Sequence, residues 1–341
     1  MRRSDVPRIR DIFTQTFRSG RLSRDASVEA CIEQTYLTSP GDRIEPASLV
    51  DVDDDDRVRG FMGIITVSAR FRGEILRGGI LGNYMATDED RAKSATRLAR
   101  ATLSRGFDFI FSDTANRTSL GISRALKFSM LPLPSLEWVK VLRPCETGAA
   151  LAKRRVPHLG AVLRPLARAC DIMGRRLPLA AMAPPDRGTG LDRAIDVATF
   201  MAKAPALIER FPLGPGWDAE ELSWLLEQAG RKTRHGALHI REVLDVAHAI
   251  QVIAARNREG VVVDAMIRQA QALGAVAIRG AANPLVVDGL TRQTGIFYRH
   301  VAATVVFTRR ADLKAAFHSD DAFLGGLFGE TWTGLMGDDF S

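Results

Sequence analysis

Three carboxylates, Asp88, Glu89 and Asp90, stand directly ahead of a helical pattern that opens at Arg91, and Tyr84 precedes them on a strand-like run. Groups of these types at the end of a strand can accept a proton from a substrate. Carboxylates just before a helix also cap its first turn and match its dipole, which is the plainer reading of Asp88, Glu89 and Asp90. A second acidic run, Asp53 to Asp56, resembles a metal site at first sight. It joins two strand-like segments, Ser48–Val52 and Arg57–Ile65, so it reads as the solvated tip of an antiparallel hairpin. Cys31, Cys145 and Cys170 are odd in number and widely spaced, and His235 and His239 have no carboxylate to complete a ligand set. No structural metal is expected, and the thiols read as reduced.

The 341 residues suit two domains, and an apolar fraction of 46% suffices for a core in each. No apolar run is long enough to span a bilayer, and no signal-like segment follows the basic Met1-Arg2-Arg3. The expectation is a soluble, cytoplasmic protein. A net charge of +7, without aromatics interleaved among the basic residues, argues against nucleic acid as a partner. Basic residues concentrate between Thr147 and Pro185, where Asp171 is the one acid against Lys153, Arg154, Arg155, Arg164, Arg168, Arg175 and Arg176. This Pro-rich stretch reads as a helical connector with an apolar side packed between domains, or as a weak contact for an anionic membrane surface.

The elements that must position these residues follow from periodicity. Helices are expected over Val6–Phe17 and Ala26–Tyr36, then the hairpin, then a strand at Gly79–Ala86. A helix from Arg91 to Arg105 buries Ala95, Leu98, Ala99, Thr102 and Leu103. A fully apolar strand, Phe107–Ser112, and a short helix, Thr118–Leu126, follow. After the connector the spacing predicts helices at Leu191–Arg210 and Asp218–Ala229, strands at Leu238–Leu244 and His248–Ala254, and a helix at Glu259–Leu273. A strand at Val276–Arg279, a helix near Leu285–Thr291 and a strand at Val301–Phe307 complete the series. The second half thus repeats the order of the first, an α/β arrangement with a mixed sheet.

At the third strand and its helix the chain resembles the GNAT family of acyl-CoA-dependent N-acetyltransferases. Those proteins place Arg/Gln-x-x-Gly-x-Gly/Ala at this helix start, and this chain has Arg91-Ala92-Lys93-Ser94-Ala95-Thr96. The family's later Asn-x-x-Ser/Ala-x-x-Leu-Tyr-x-x-Leu-Gly-Phe is matched in register by Asn116, Ser119, Ile122, Leu126 and Phe128. Ser94 and Thr96 hold the glycine positions, Ser123 holds the tyrosine position and Lys127 the last glycine. The closing segment Asp321–Trp332 is similar to that of tandem GNAT proteins from bacterial surface-polysaccharide gene sets, which end in Leu-Asp-Gly-Glu-Trp-Trp. Gly329, Glu330 and Trp332 match.

The resemblance implies tandem GNAT-like domains, each a mixed, mostly antiparallel sheet flanked by helices. Residues 1–145 would form the acyl-CoA-binding domain, 146–187 the connector and 188–341 a second, degenerate domain. It implies acetyl-CoA or another acyl-CoA as substrate, with the diphosphate at the helix N-terminus. Met85, Ala86, Arg91, Lys93, Ser94, Ala95, Thr96, Asn116, Ser119 and Ser123 would hold it. The acceptor would be an amine, for instance an amino sugar, with Tyr84, Asp88 or Glu89 taking its proton. Glu330 and Trp332 read as a C-terminal anchor or as part of the acceptor cleft. A non-catalytic binding protein and an aminoacyl-tRNA-dependent transferase are the other classes, and a monomer or homodimer is expected.

Overall fold

The computed structural model describes residues 1–18, 25–42, 46–87, 91–155, 160–174, 195–240, 246–249, 252–319, 322–324 and 326–333. Helix α1 (Val6–Arg18) buries Val6, Ile9, Ile12 and Phe13, the spacing of an amphipathic stripe. Helix α2 (Asp25–Tyr36) likewise buries Val28, Cys31, Ile32 and Tyr36. Strands β1 (Leu49–Val52) and β2 (Val58–Phe71) pair antiparallel. The aspartates form the tip between them: Asp56 takes φ 60°, and Asp53 Oδ1 accepts the amides of Asp55 and Arg57 at 3.0 and 2.8 Å.

Strand β3 (Glu74–Ala86) returns antiparallel along β2. Helix α3 (Arg91–Leu103) follows, then β4 (Phe109–Ala115), α4 (Arg117–Ala125) and β5 (Ser129–Leu131). The chain continues through β6 (Leu136–Val141), α5 (Pro144–Arg155) and α6 (Gly160–Gly174), which carries Pro165 inside it. Next come α7 (Val197–Ile208), β7 (Leu213–Pro215), α8 (Ala219–Ile240) and β8 (Val246–Ala249). The chain then runs through α9 (Glu259–Ala272), β9 (Ala277–Ala281), α10 (Pro284–Leu290), β10 (Ile296–His300), β11 (Ala303–Phe307) and α11 (Ala311–Phe317).

Two compact units result, residues 1–132, 196–237 and 302–341 in one, and 133–195 with 238–301 in the other. The first holds a seven-stranded sheet, ordered β1-β2-β3-β4-β11-β5 with β7 paired to β2. Helices α1 and α2 pack on one face, α3 on the other: Gly60 meets Ser94 and Leu98, while Phe61 meets Tyr36. The second unit holds a four-stranded sheet, β10-β6-β9-β8, with a core of Trp138, Val263, Ile267, Ile278 and Val286. In each sheet one pair of neighbours is parallel, β3 with β4 and β8 with β9, and the rest are antiparallel.

The linear division at 145 and 188 does not follow these units. The first sheet is completed by β11, from the end of the chain, while β6 leaves it and pairs between β9 and β10. A strand's apolar pattern specifies that it pairs, not with which sheet. The strand expected at Leu238–Leu244 begins inside α8, which runs to Ile240; a short apolar run fits either period. Residues 241–244 of that expectation, and residues 175–187 of the connector, lie outside the described residues. Among the described residues no helix is long and apolar enough to cross a membrane.

Candidate functional site

Strands β3 and β4 are parallel neighbours only at Gly78–Ile80 and Phe109–Phe111. Beyond this, residues 81–86 of β3 and 112–115 of β4 run on without pairing to each other. The register shows an extra residue on each strand at the opening. Between the pairs Met62↔Tyr84 and Ile64↔Leu81, Gly63 faces both Gly82 and Asn83. Between Val305↔Ser112 and Ala303↔Ala115, Thr304 faces both Asp113 and Thr114. Each is a β-bulge, which bends its strand and re-aims side chains.

Both bulges are filled by groups from elsewhere. The Tyr36 hydroxyl accepts the Asn83 amide at 3.3 Å, supplying the partner the ladder lacks. A Cβ on Gly82 would lie 2.4 Å from this hydroxyl and 3.0 Å from Glu330 Oε1, so only glycine admits them. On the other strand, Thr114 Oγ1 donates to Glu330 Oε2 at 2.5 Å, and the Glu330 amide donates to Asp113 Oδ1 at 2.8 Å. Glu330, fully buried, therefore spans the opening between β3 and β4. Phe328 seats the segment by packing on Phe109 and Phe111, and Trp332 meets Trp224 edge to face at 5.7 Å. Burial pushes the Asp113 carboxyl up, against the pull of the Glu330 amide. Burial, then the nearby Glu330 charge, holds the Tyr36 hydroxyl well above its ordinary range.

The first turn of α3 stands at the end of β3, and by helix geometry its leading amides have no intrahelical partner. Arg91, Lys93 and Thr96 are exposed there, whereas Ser94 and Ala95 are buried. The Ser94 side chain faces the sheet over Gly60, where a Cβ would lie 1.8 Å from its Oγ. Tyr84 is half-buried and donates to the Arg91 carbonyl at 2.6 Å, tying strand to helix; burial raises its hydroxyl above the ordinary range. Met85 and Ala86 are buried at the strand's end. Asp88 and Glu89 lie outside the described residues. Asn116 is the N-cap of α4, its side chain accepting the amides of Thr118 and Ser119 and the Ser119 hydroxyl. Ser123 is buried on α4.

Of the residues singled out from sequence, Tyr84, Met85, Ala86, Arg91 and Lys93 gather at the mouth of the opening. Tyr36, Asp113 and Thr114 were missed. The signal available for Tyr36 was the pair of glycines, Gly63 and Gly82, in otherwise strand-like runs, which marks a bulge or close approach.

A cavity of about 320 Å³ lies at the other end of β3, lined by Thr66, Ser68, Arg77, Asp108, Asp218 and Glu221 among others. At 3.3 Å per residue, Arg77 is roughly 20–25 Å along the strand from Tyr84, so this cavity is separate from the opening. Glu221 is buried, accepts the Ser68 amide at 3.0 Å, and burial pushes its carboxyl from 4.5 up to about 7. The folded state holds that proton more tightly than the unfolded chain. Its contribution is therefore full below about pH 4.5 and is lost as pH rises through about 7. Asp42 and Asp113 are raised as well and act with the same sign. Glu221→Gln keeps the acceptor for Ser68 and is expected to gain about 1–3 kcal/mol near pH 8 while flattening the fall between about pH 5 and 7. Urea unfolding across that range checks this; an unchanged slope would refute it.

No family model matches the sequence, and no curated protein matches it. Among solved structures, the fold is similar to a probable N-acyltransferase from Enterococcus faecalis, at 7% identity and a TM-score of 0.53, over 90% of this chain and 70% of that one. It also aligns with a GCN5-related N-acetyltransferase from Kribbella flavida, at 12% identity and TM-score 0.49 over 90% and 70% of the two chains. Saccharomyces cerevisiae N-myristoyltransferase with bound myristoyl-CoA aligns at 11% identity and TM-score 0.48, over 91% and 78%. The α/β fold, mixed sheets flanked by helices, is thus one that this chain shares with the probable N-acyltransferase from Enterococcus faecalis.

Proposed function

We propose that the chain is a GNAT-type N-acyltransferase that moves an acyl group from acyl-CoA to an amine. The observation that carries this is the opening between two parallel strands, bulged on both sides, with a basic helix N-terminus at its mouth. Residues 81–86 of β3 run on without pairing to β4, a strand edge suited to the amides of an extended pantetheine arm. The first-turn amides of α3, with Arg91 and Lys93, suit the diphosphate. Met85 and Ala86 line the path between them, Ser94 and Ala95 set α3 close to the sheet, and Thr96 follows on the exposed face. Asn116 and Ser119, which cap α4, and Ser123 on the same helix are assigned to the acyl-CoA as well, by the sequence resemblance.

The reaction joins the amine nitrogen to the thioester carbonyl and breaks the carbon–sulfur bond. The amine must first lose its ammonium proton. Among the described residues the fold brings two carboxylates to the opening, Asp113 and Glu330; Glu330 reaches both strands, and we assign it that role ahead of Asp88 or Glu89. Tyr84 fixes the start of α3. Thiols ionise near pH 8.5, so a thiolate departs without a strong acid, and the missing tyrosine at Ser123 is no obstacle. Holding amine and thioester together supplies much of the acceleration. By the sequence resemblance, the acceptor we assign is an amino sugar of polysaccharide assembly.

Calorimetry with acetyl-CoA and CoA tests the reading; no heat of binding with either removes it. Arg91→Glu exchanges attraction to the diphosphate for repulsion, about 1 kcal/mol per charge at 4 Å in water. The expected result is roughly 30-fold weaker CoA binding with unchanged unfolding, and an unchanged Kd would place the phosphates elsewhere. Binding without turnover on any amine would assign the chain to a non-catalytic class.

A further inference from the structure

The α5–α6 pair carries two exposed cysteines, one on each helix. Cys145 is in the first turn of α5, directly after Pro144, and Cys170 is in the last turns of α6. The two helices pack on each other, and the residue after Cys170 fixes their register. The Asp171 carboxylate is buried and accepts the Cys145 amide at 2.9 Å through Oδ1 and the Glu146 amide at 2.8 Å through Oδ2. This clamp holds the end of α6 at the start of α5, so that Cys170, the chain neighbour of Asp171, stands beside the turn that carries Cys145. The third cysteine, Cys31, is buried in the core beside α1.

We propose that Cys145 and Cys170 are a modification site: a dithiol that closes to an intramolecular disulfide with a low-molecular-weight disulfide, of the oxidised-glutathione class, as oxidant. The inference is independent of the acyltransferase reading. A thiolate must attack, and the ease of forming it sets the order of events. Local desolvation and the Asp171 carboxylate hold the Cys145 thiol above its ordinary range, which disfavours Cys145 as the attacking thiolate. The Cys170 thiolate bonds to one sulfur of the small disulfide, and the other sulfur leaves as a thiolate. Cys145 then bonds to the Cys170 sulfur and displaces the second small thiolate. The two protons lost by the cysteines end on the two small thiols. Two protein thiols are oxidised and one small disulfide is reduced, so atoms and electrons balance. The closed form staples α5 to α6 at the point that the Asp171 clamp already defines. Leu166, Ile172 and Met173 are exposed on the stapled α6.

The test incubates the full chain in glutathione buffers of graded redox ratio, quenches with an alkylating reagent and maps peptides without reduction. The expected product is a linked pair of peptides containing Cys145 and Cys170, two hydrogens lighter than the free peptides, with Cys31 alkylated only after denaturation. Cys170→Ser and Cys145→Ser should each instead hold a stable glutathione adduct on the remaining exposed cysteine. Wild-type protein that stays fully alkylatable in the most oxidising buffer overturns the proposal. So does one that accumulates separate adducts at both positions, or disulfide-linked dimers. The wild-type map decides the matter even where a serine variant folds poorly, and thermal melting of each variant under reducing conditions identifies that case.

Discussion

Glu330→Gln is expected to lower kcat by about 10²- to 10⁴-fold, the usual contribution of a positioned acid–base group, while leaving the Kd for acyl-CoA unchanged. The substitution is close to isosteric. Glutamine still offers an oxygen to the Thr114 hydroxyl, and the backbone amide at 330 still reaches Asp113, so the bridge across the opening remains. What disappears is the capacity to hold a proton. The side chain is fully buried, and removing an ionisable group from such a place costs little or stabilises, so the unfolding midpoint should hold or rise. Single-turnover rates with a reactive amine, measured beside CoA calorimetry and thermal melting, separate these effects. Wild-type rates in the glutamine variant would reduce Glu330 to a strut between the strands and return the base to Tyr84, Asp88 or Glu89. A variant that loses CoA affinity together with rate would instead place the carboxylate on the cofactor path.

The order of elements through α4 was legible because each step carries a strong local signal. The stripe from Val6 to Phe13, the aspartate turn and the helix at Arg91 depend on near neighbours in sequence, where periodicity and turn chemistry act. The partners of the strands were not legible. β6 has alternating burial along Leu136–Val141, yet it is short and flanked by Pro132, Pro134 and Pro144, which masks its strand pattern. Its pairing with β9 and β10, and that of β11 with β4 and β5, is decided by tertiary assembly. The candidate site shows the same division. Arg91 and Tyr84 lie within a few residues of each other and could be found as a unit. Tyr36, Gly82, Asp113 and Glu330 meet only after four distant segments converge, and each alone reads as core, strand, strand and tail. The bulges that let them meet are register defects, which a single strand's pattern does not encode.

Trp332→Ala should be the most destabilising single substitution in the closing segment, by about 3–5 kcal/mol, the range for removing a buried large aromatic. Trp332 is 1% exposed and packs edge to face on Trp224, whose own indole N–H donates to Thr38 Oγ1 at 3.2 Å. The ring thus ties the end of the chain to α8 and, through Trp224, to the loop after α2. Its own Nε1 has no hydrogen-bond partner among the described residues. Trp332→Phe therefore sheds an unsatisfied donor while keeping much of the packing, and should cost less than about 1.5 kcal/mol. Urea unfolding of the pair measures the difference directly. Equal losses in the two variants would mean that the indole nitrogen, rather than the ring's packing, holds the segment. Activity adds a second reading, because Trp332 lies two residues beyond Glu330 and the same short segment carries Phe328 onto β4. Under conditions where Trp332→Ala remains folded, its kcat should fall more than that of Trp332→Phe. The carboxylate between β3 and β4 then keeps Thr114, Asp113 and Phe328 but loses the anchor beyond it, and its position in the opening is less tightly fixed.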